Sequence, residues 1–323
     1  MLSAAIVGLG NWGQKIVAAV NGGSPLLRVD CAVVREARDD LCAFARSHDI
    51  SLATDLQQVL NDQTIDAVII TTPHSLHVQQ IIAAAAAGKH VFCEKPLALT
   101  REDAMRALDA CGKAGRILAV GHDKRYWPSM IALREIASNR ALGNILHLEG
   151  HTSNENASRF AGWRNDPLET PGGGMTGAGV HMLDALISIA GPVESLRAQL
   201  ISQTECSAPR DSVSALLRFT NGISGTLATV RSTPFYWRAH VFGDAGSAEA
   251  LGQTCLVVRK AGAALERRKF EPVDTLRAEM DAFAQAISGQ ARPTPSSGEI
   301  VATVHAFEAM LDSIALKRTV RLH

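Results

Sequence analysis

The sequence lacks several features that mark particular classes of protein. Its charge is balanced, with 32 lysine and arginine residues against 32 aspartate and glutamate residues, so nothing favours attraction to nucleic acid or an acidic membrane. Its longest apolar runs, such as IIAAAAAG, are well short of the ~20 residues that span a bilayer. The start, MLSAAIVGLG, lacks the basic segment of a targeting signal and is better explained as a buried strand. We therefore expect a cytoplasmic protein with no nucleic-acid or membrane partner.

The chain also lacks a C-x-x-C pair. Its six cysteines are scattered, most of them inside apolar runs, which is typical of buried, reduced thiols and not of a metal site or disulfides. They are Cys31, Cys42, Cys93, Cys111, Cys206 and Cys255.

The length of 323 residues suits two domains, and the pattern changes near residue 122. Up to that point short apolar runs alternate with helical ones, which predicts an α/β Rossmann domain, a doubly wound parallel sheet. We expect strands at 3–8, 29–34, 67–71, 90–93 and 117–121, and helices at 12–21, 37–47, 76–87 and 101–114. Thr100 is the expected N-cap of the last helix.

Beyond this point strands follow one another without helices between them, which predicts an α+β domain with a large, mainly antiparallel open sheet. The expected strands are 145–152, 196–202, 213–219, 224–230, 239–243 and 255–258. The expected helices are 130–139, 179–190, 275–287 and 298–315. No low-complexity linker is present, so we expect one domain at 1–122 and another at 123–323.

The first expected strand runs into a G-x-G-x-x-G turn that opens a helix. Glycines here permit a tight turn, let the backbone approach a pyrophosphate and allow the helix to pack on the sheet, while the helix N-terminus faces the phosphates. In this strand–turn–helix context the motif predicts a dinucleotide site. Its residues are Gly8, Gly10, Asn11, Trp12 and Gly13.

The end of the second strand bears on the choice of dinucleotide. NAD-preferring domains usually carry an acidic residue here to bind the ribose 2′-hydroxyl. Arg35 lies 22 residues after Gly13 and could pair with a 2′-phosphate, with help from Arg38, which favours NADP. If the register differs by one residue, Glu36 would be the ribose ligand and NAD the cofactor.

Residues 88–97, GKHVFCEKPL, resemble the GKHVxxEKP signature of the Gfo/Idh/MocA family of oxidoreductases. The preceding TTPHSLH at 71–77 is similar to the family segment over the nicotinamide-side ribose, although asparagine is commoner at His74. Further similarities are Gly121-His122 with Arg125, Trp163-Arg164, and the glycines at 172–174 followed by HMLD at 181–184. The resemblance spans almost the whole chain.

The resemblance implies a cofactor-binding first domain and a substrate-binding second domain whose flat sheet face supports homodimers or homotetramers. It implies a catalytic lysine at Lys95, followed by a bond to Pro96 that is often cis. It also extends the expected cofactor-binding set to Thr72, Pro73, His74, His77, Glu94 and Lys95.

Transfer of hydride to or from a carbon bearing oxygen requires a group that accepts or returns the hydroxyl proton. Lys95 can donate hydrogen bonds to the reacting oxygen. His181 titrates naturally near neutrality, so we expect it to carry the proton. The predicted activity is that of an NAD(P)-dependent dehydrogenase or reductase acting on a sugar, cyclitol, nucleotide sugar or cyclic diol.

One position departs from the family. Many relatives have aspartate four residues before this histidine, where this chain has Gly177. Asp184 lies near His181 on a helical face and could partly substitute, although a structural role is the simpler interpretation. The departure keeps open a non-catalytic cofactor sensor, and a glycosidase that uses bound NAD⁺ transiently is a third alternative.

The remaining candidates carry weaker signals. His74 and His77 form an H-x-x-H pair, but no third ligand accompanies them, so we expect no metal. Several side chains could contact a hydroxylated or anionic substrate, although a packing or salt-bridge role is as plausible for each. They are Lys124, Arg125, His151, Trp163 and Arg164.

Overall fold

The computed structural model describes residues 1–154, 162–203, 210–231 and 233–323. The chain forms two compact units, the first made of Met1–Asp123 and Asp274–Ile300, the second of Lys124–Val273 and Val301–His323. The first change of unit lies between Asp123 and Lys124. The segment 274–300, which lies inside the predicted range 123–323, groups with the first unit by its contacts.

The first unit is built on a parallel sheet. Its elements are β1 (Leu2–Val7), α1 (Asn11–Asn21), β2 (Leu27–Val33), α2 (Asp39–Ser47), β3 (Ser51–Ala53), α3 (Leu56–Asn61), β4 (Ala67–Ile70), α4 (His74–Ala86), β5 (His90–Glu94), α5 (Arg101–Lys113) and β6 (Leu118–Gly121). The described strands follow the order β3-β2-β1-β4-β5-β6, and each neighbouring pair is parallel. The order reverses between β1 and β4, and ligands of such sheets bind at the carboxyl ends of the strands at this point.

The apolar strands of this sheet are buried on both faces, as their composition predicts. Every residue of β4 is buried, and Ile6 of β1 and Phe92 of β5 lie in the core. Thr100 caps α5 as predicted, its side chain accepting a hydrogen bond from the backbone N–H of Asp103.

The second stretch of chain adds α6 (Pro128–Ser138), β7 (Ile145–Asn154), α7 (Val180–Ala190), β8 (Val193–Gln203), β9 (Arg210–Phe219), β10 (Ser224–Arg231), β11 (Tyr236–Gly243), β12 (Gly246–Leu251), β13 (Cys255–Lys260), β14 (Glu266–Lys269), α8 (Thr275–Ile287), α9 (Ser297–Leu316) and β15 (Val320–Arg321). In the described part these strands form a nine-stranded sheet with the order β14-β13-β12-β11-β7-β10-β9-β8-β15. Only β7 and β10 pair in parallel within it, so the predicted, mainly antiparallel sheet is confirmed.

Helix α8 belongs to the first unit because its apolar face completes that unit's core. Met280, Phe283 and Ala284 are buried in the cluster formed by β1, β2 and α1. The rings of Phe283 and Phe92 meet edge to face with centroids 5.8 Å apart. A contact so distant in sequence leaves no mark on local periodicity, so the sequence pattern could not place α8 with the first unit.

Within the second unit, α7 covers one face of the sheet. A Cβ atom at Gly150 of β7 would lie 2.6 Å from Cγ of Met182, so only glycine lets the helix pack this closely. We call the opposite face of the sheet the outer face. It carries the odd-numbered residues of β7, including Glu149 and His151, which are partly exposed.

Two further sequence expectations can be compared with the structure. Of the cysteines in the described ranges, Cys93 and Cys111 are buried, whereas Cys31, Cys42 and Cys255 are partly exposed; all five are free thiols, and Cys206 lies outside those ranges. Burial was therefore predicted too widely. Among the described helices, none has both the length and the apolar composition that a membrane span requires.

Candidate active site

The predicted glycine turn has the geometry that its sequence implies. Gly8 has φ of +97°, which a residue with a side chain rarely adopts. A Cβ atom at Gly13 would lie 2.3 Å from the carbonyl oxygen of Gly8, so α1 can approach the turn only with glycine here. Thr71, just after β4, donates from Oγ1 to the Gly8 carbonyl oxygen at 2.5 Å and fixes the turn to the neighbouring strand. Thr71 lies in the TTPHSLH segment, but the predicted cofactor-binding residues did not include it.

The turn also fits a pyrophosphate. A Cβ atom at Gly10 would meet no described atom within 4 Å, so packing against the described residues does not require glycine here. The absence of a side chain instead lets a ligand approach the backbone closely. The N-cap of α1 is Gly10, which has no side chain to cap the first N–H groups of the helix. The first turn of α1 contains no acidic residue. The first N–H groups of α1, which begin at Asn11, can therefore meet phosphate oxygens, helped by the helix dipole.

Two arginines follow the end of β2 at the same edge of the sheet. Arg35 is exposed and makes no ion pair with any residue that the structure describes. Arg38 is also exposed, but its Nη2 lies 2.9 Å from Oδ2 of Asp40, a pairing that raises the pKa of the arginine. Of the two, Arg35 is the more available to an added anion.

The segment after β4 separates into two groups of residues. Thr72, Pro73 and His74 are partly exposed at the carboxyl end of the strand, where the prediction requires them. His77 is fully buried, and its ring nitrogens lie 3.0 Å from the carbonyl oxygens of Pro96 and Thr72. Both ring nitrogens of His77 are engaged by backbone carbonyl oxygens, so the residue joins the loop after β4 to the turn after β5. Its predicted cofactor contact stays a prediction.

These contacts also bear on the H-x-x-H pair. The rings of His74 and His77 meet edge to face with centroids 5.5 Å apart. With both nitrogens of His77 on carbonyl oxygens, neither is available to coordinate a metal. No group of three potential metal ligands occurs among the described residues.

The predicted catalytic turn follows β5. The Lys95–Pro96 bond is cis, as the family resemblance implied. Glu94, the last residue of β5, is buried, and its Oε1 accepts a 2.6 Å hydrogen bond from Nε1 of Trp12. Burial raises the pKa of the Glu94 carboxyl to about 7, against the effects of the Lys95 ammonium and of the Trp12 bond, which lower it. The carboxyl group is thus balanced between its two charge states at neutral pH.

In the second unit, His181 lies in the first turn of α7 and is buried. The helix is preceded by a π-helical turn, Met175–Gly179, of the kind often found at functional sites. Asp184, considered above as a substitute for the carboxylate missing at position 177, forms a buried ion pair with Arg125. This buried pair agrees with the simpler, structural interpretation of Asp184, and the substrate contact of Arg125 stays a prediction.

The glycine-rich segment before α7 is held by a residue that the sequence did not reveal. Asp211 of β9 accepts a 2.9 Å hydrogen bond from the backbone N–H of Gly174 and forms an ion pair with Arg231. A Cβ atom at Gly173 would lie 2.8 Å from the Asp211 carboxylate, so glycine is needed there. A Cβ atom at Gly177, by contrast, would meet no described atom within 4 Å. No motif links residues so far apart in sequence, which is why Asp211 was missed.

The other candidate substrate contacts lie in mixed surroundings. Nζ of Lys124 is 4.8 Å from the centroid of the Trp127 ring, and the guanidinium carbon of Arg164 is 4.2 Å from that of Trp163. Each cation therefore packs against an aromatic ring, but Lys124 is only partly buried and Arg164 is exposed. His151 lies on the outer face of the sheet, opposite α7, and its substrate contact stays a prediction.

The first unit thus combines a glycine turn at a helix N-terminus with a lysine turn at the same edge of a doubly wound sheet. This combination defines the class of nicotinamide-dependent oxidoreductases. Residues 2–122 match the family model described as "Oxidoreductase family, NAD-binding Rossmann fold", and residues 130–249 match that of the GFO/IDH/MocA C-terminal domain. The chain belongs to the Gfo/Idh/MocA family of oxidoreductases.

Named relatives agree with this assignment. The 1,5-anhydro-D-fructose reductase of Ensifer adhaerens is 27% identical over 268 residues, 80% of this chain and 80% of the relative. The oxidoreductase YrbE of Bacillus subtilis is 30% identical over 275 residues, 79% of this chain and 78% of the relative. A levoglucosan dehydrogenase solved with NADH and levoglucosan shares the fold, with a TM-score of 0.86 and 23% identity over 99% of both chains. These relatives lend no support to the alternative of a non-catalytic sensor.

Proposed function

We propose that this enzyme transfers hydride between a nicotinamide cofactor and the hydroxyl or carbonyl carbon of a small polyhydroxylated ring: a sugar, a cyclitol, a nucleotide sugar or a cyclic diol. One observation carries the proposal. The pyrophosphate turn and the Glu94–Lys95 turn lie at the same edge of the first unit's sheet, joined by the 2.6 Å bond from Trp12 to Glu94. The names of the relatives, an anhydrofructose reductase and a levoglucosan dehydrogenase, support the substrate class.

The residues divide the work as follows. When bound, the cofactor supplies or accepts the hydride. Lys95 donates hydrogen bonds to the reacting oxygen and stabilises the negative charge that develops there. His181 takes up or returns the hydroxyl proton, because an imidazole titrates near neutral pH. Gly177 supplies no carboxylate, so His181 performs this step without an aspartate at that position.

For the cofactor we propose a preference for NADP over NAD. Arg35 stands beyond the end of β2, exposed and without an ion pair among the described residues, so its guanidinium can receive a 2′-phosphate. Arg38 is the second cation of this site. One relative of B. subtilis carries NADP⁺ in its name, scyllo-inositol 2-dehydrogenase (NADP(+)) IolW.

A direct test of the activity uses the purified chain with NADPH or NADH. Cofactor binding is followed by fluorescence and calorimetry, and turnover by nicotinamide absorbance against a panel of sugars, anhydrosugars, cyclitols and their ketones. We expect tight binding, with turnover of at least one member of the panel. If the chain bound neither NADPH nor NADH, the proposal would be contradicted.

We further propose that two copies of the chain pair through the outer face of the second unit. This face holds a shallow cavity of about 510 Å³, lined by residues of β7 to β11. The face presents Leu216, whose exposed fraction is 63%. Two charged residues also line the cavity: Glu149, which is partly exposed, and Arg197, which has no ion pair in the described part of the chain. A surface that carries both charge signs around an apolar residue can pair with itself about a two-fold axis.

The test of this pairing is the mass of the particle in solution. We expect light scattering to give at least a dimer, and Leu216→Glu to weaken it. Met105→Glu, at an exposed position of α5 in the first unit, is the matched control and should leave the mass unchanged. A monomeric wild-type chain at micromolar concentration would refute the pairing.

A further inference from the structure

The bond between Trp12 and Glu94 connects two parts of the site that the sequence treats as separate motifs. Trp12 is the second residue of α1, within the glycine turn, and Glu94 immediately precedes Lys95. The donor and acceptor atoms, Nε1 and Oε1, are 2.6 Å apart, and the exposed fraction of Glu94 is only 8%. The indole therefore satisfies a carboxylate oxygen that is largely cut off from water.

The carboxylate is confined on its other sides as well. Its Oε2 accepts a 3.3 Å hydrogen bond from the backbone N–H of Lys95. A Cβ atom at Gly121, at the end of the adjacent strand β6, would lie 2.7 Å from Oε1 and 3.2 Å from Cζ of Phe92. Position 121 thus has to be small for Glu94 to reach the indole. The position of the carboxylate is set by its neighbours on β5, β6 and α1, and not by its own rotamer preference alone.

We propose that Trp12 is a positioning residue that acts through Glu94: its N–H holds the buried carboxylate in place and favours its ionised form beside Lys95. This inference rests on the proposed role of Lys95. A neighbouring carboxylate favours the protonated form of a lysine, so the bond helps Lys95 to remain a positively charged hydrogen-bond donor. Trp12 then affects the chemical step without touching the reacting atoms.

The charged groups around Glu94 determine the direction of each effect. Lys95 lowers the pKa of the carboxyl group, whereas Asp123, in the turn after β6, raises it together with burial. The indole N–H bonds to the charged form and so lowers it. Removing this bond should therefore move the pKa of Glu94 upward, and a larger share of molecules would carry a neutral side chain beside Lys95 at pH 7.

Intrinsic fluorescence tests the bond without any need for turnover. The difference in emission between the wild type and Trp12→Phe reports on Trp12, one of the four tryptophans. We expect this difference to titrate with a midpoint near 7. The titration should vanish when the same pair is compared in a Glu94→Gln background. A difference that stays constant between about pH 5 and 9 would overturn the proposal. If Trp12→Phe does not fold, the wild type and Glu94→Gln alone give the same comparison.

The pH profile of kcat/KM then tests the consequence for catalysis. Trp12→Phe should shift the acidic limb of the profile to higher pH by about one unit. The reason is that losing a hydrogen bond to a buried charged group raises the pKa of that group by roughly one unit. Lys15→Met is the control: its Nζ lies 5.5 Å from the Trp12 ring but makes no contact with Glu94, so the limb should not move.

In the Glu94→Gln background, Trp12→Phe should add no further shift. An equal effect of Trp12→Phe in the wild type and in this background would assign Trp12 a packing role only. If no substrate is turned over, the proposed function fails, and the fluorescence titration still decides this inference.

Discussion

Asp184 accepts two hydrogen bonds of 2.8 Å from Arg125, one on each carboxylate oxygen, from Nε and Nη2. The side chains of Arg125 and Asp184 retain only 4% and 2% of their exposure. This pair fixes the turn after β6 to the first turns of α7, within the second unit. Both carboxylate oxygens of Asp184 thus bind Arg125, although the spacing of Asp184 from His181 made it a candidate for a catalytic carboxylate.

The first prediction concerns this pair. Asp184→Asn should lower the free energy of unfolding by about 3 kcal/mol, because it removes the carboxylate charge that faces the buried Arg125 guanidinium. Urea titration measures the loss. The double variant Arg125→Met/Asp184→Leu, which removes both charges, should recover a large part of it. A loss below about 1 kcal/mol for Asp184→Asn would show that the pair matters little.

The second prediction separates chemistry from binding at Lys95. Lys95→Ala should abolish turnover, because the reacting oxygen loses its hydrogen-bond donor, yet leave the dissociation constant of the cofactor within a few-fold of the wild type. Stopped-flow absorbance and calorimetry give the two quantities. Unchanged turnover would remove Lys95 from the mechanism.

The third prediction concerns the choice between NADP and NAD. Arg35→Ala should weaken NADPH binding by about tenfold or more through loss of a charge-assisted contact to the 2′-phosphate, with little effect on NADH. Arg38→Ala is the matched comparison and should cost less, because Arg38 is already paired with Asp40. Equal losses for both dinucleotides in Arg35→Ala would argue against a phosphate contact.

The fourth prediction follows from the pKa of Glu94. The folded-state pKa of about 7 lies above the ordinary value of 4.5, so the folded protein binds this proton more tightly than the unfolded chain does. The stabilising contribution is complete below about pH 4.5 and is lost as the pH rises through 7. Glu94→Gln has no such proton to lose. Between about pH 4.5 and 8 its free energy of unfolding should therefore gain about 3 kcal/mol relative to the wild type.

Chemical denaturation at several pH values measures this difference. Glu102→Gln, at an exposed position at the start of α5 on the same unit, is the matched control for the loss of a carboxyl group. Parallel curves for the wild type and Glu94→Gln across this range would show that the carboxyl group titrates normally.

The elements that the sequence predicted correctly are those with strong local patterns. The helix at 275–287 was predicted to the residue, and most strands of both sheets differ from their predicted ranges by a few residues. Five of the described elements were missed, and one of them, β15, has only two residues. β3, α3 and β12 are short or lie in turn-rich stretches, and β14 is an exposed edge strand of charged residues, ERRK, without an apolar alternation.

The sequence by itself determined the fold class, the dinucleotide turn and the family, because each depends on residues that are close together in the chain. Periodicity reports which face is buried, and glycine spacing reports where the backbone must turn. Only the tertiary structure decided that His77 bridges Thr72 and Pro96, that Asp184 is taken by Arg125, and that Trp12 reaches Glu94. These contacts join residues that folding alone brings together, and a side chain's partner cannot be read from its neighbours in sequence.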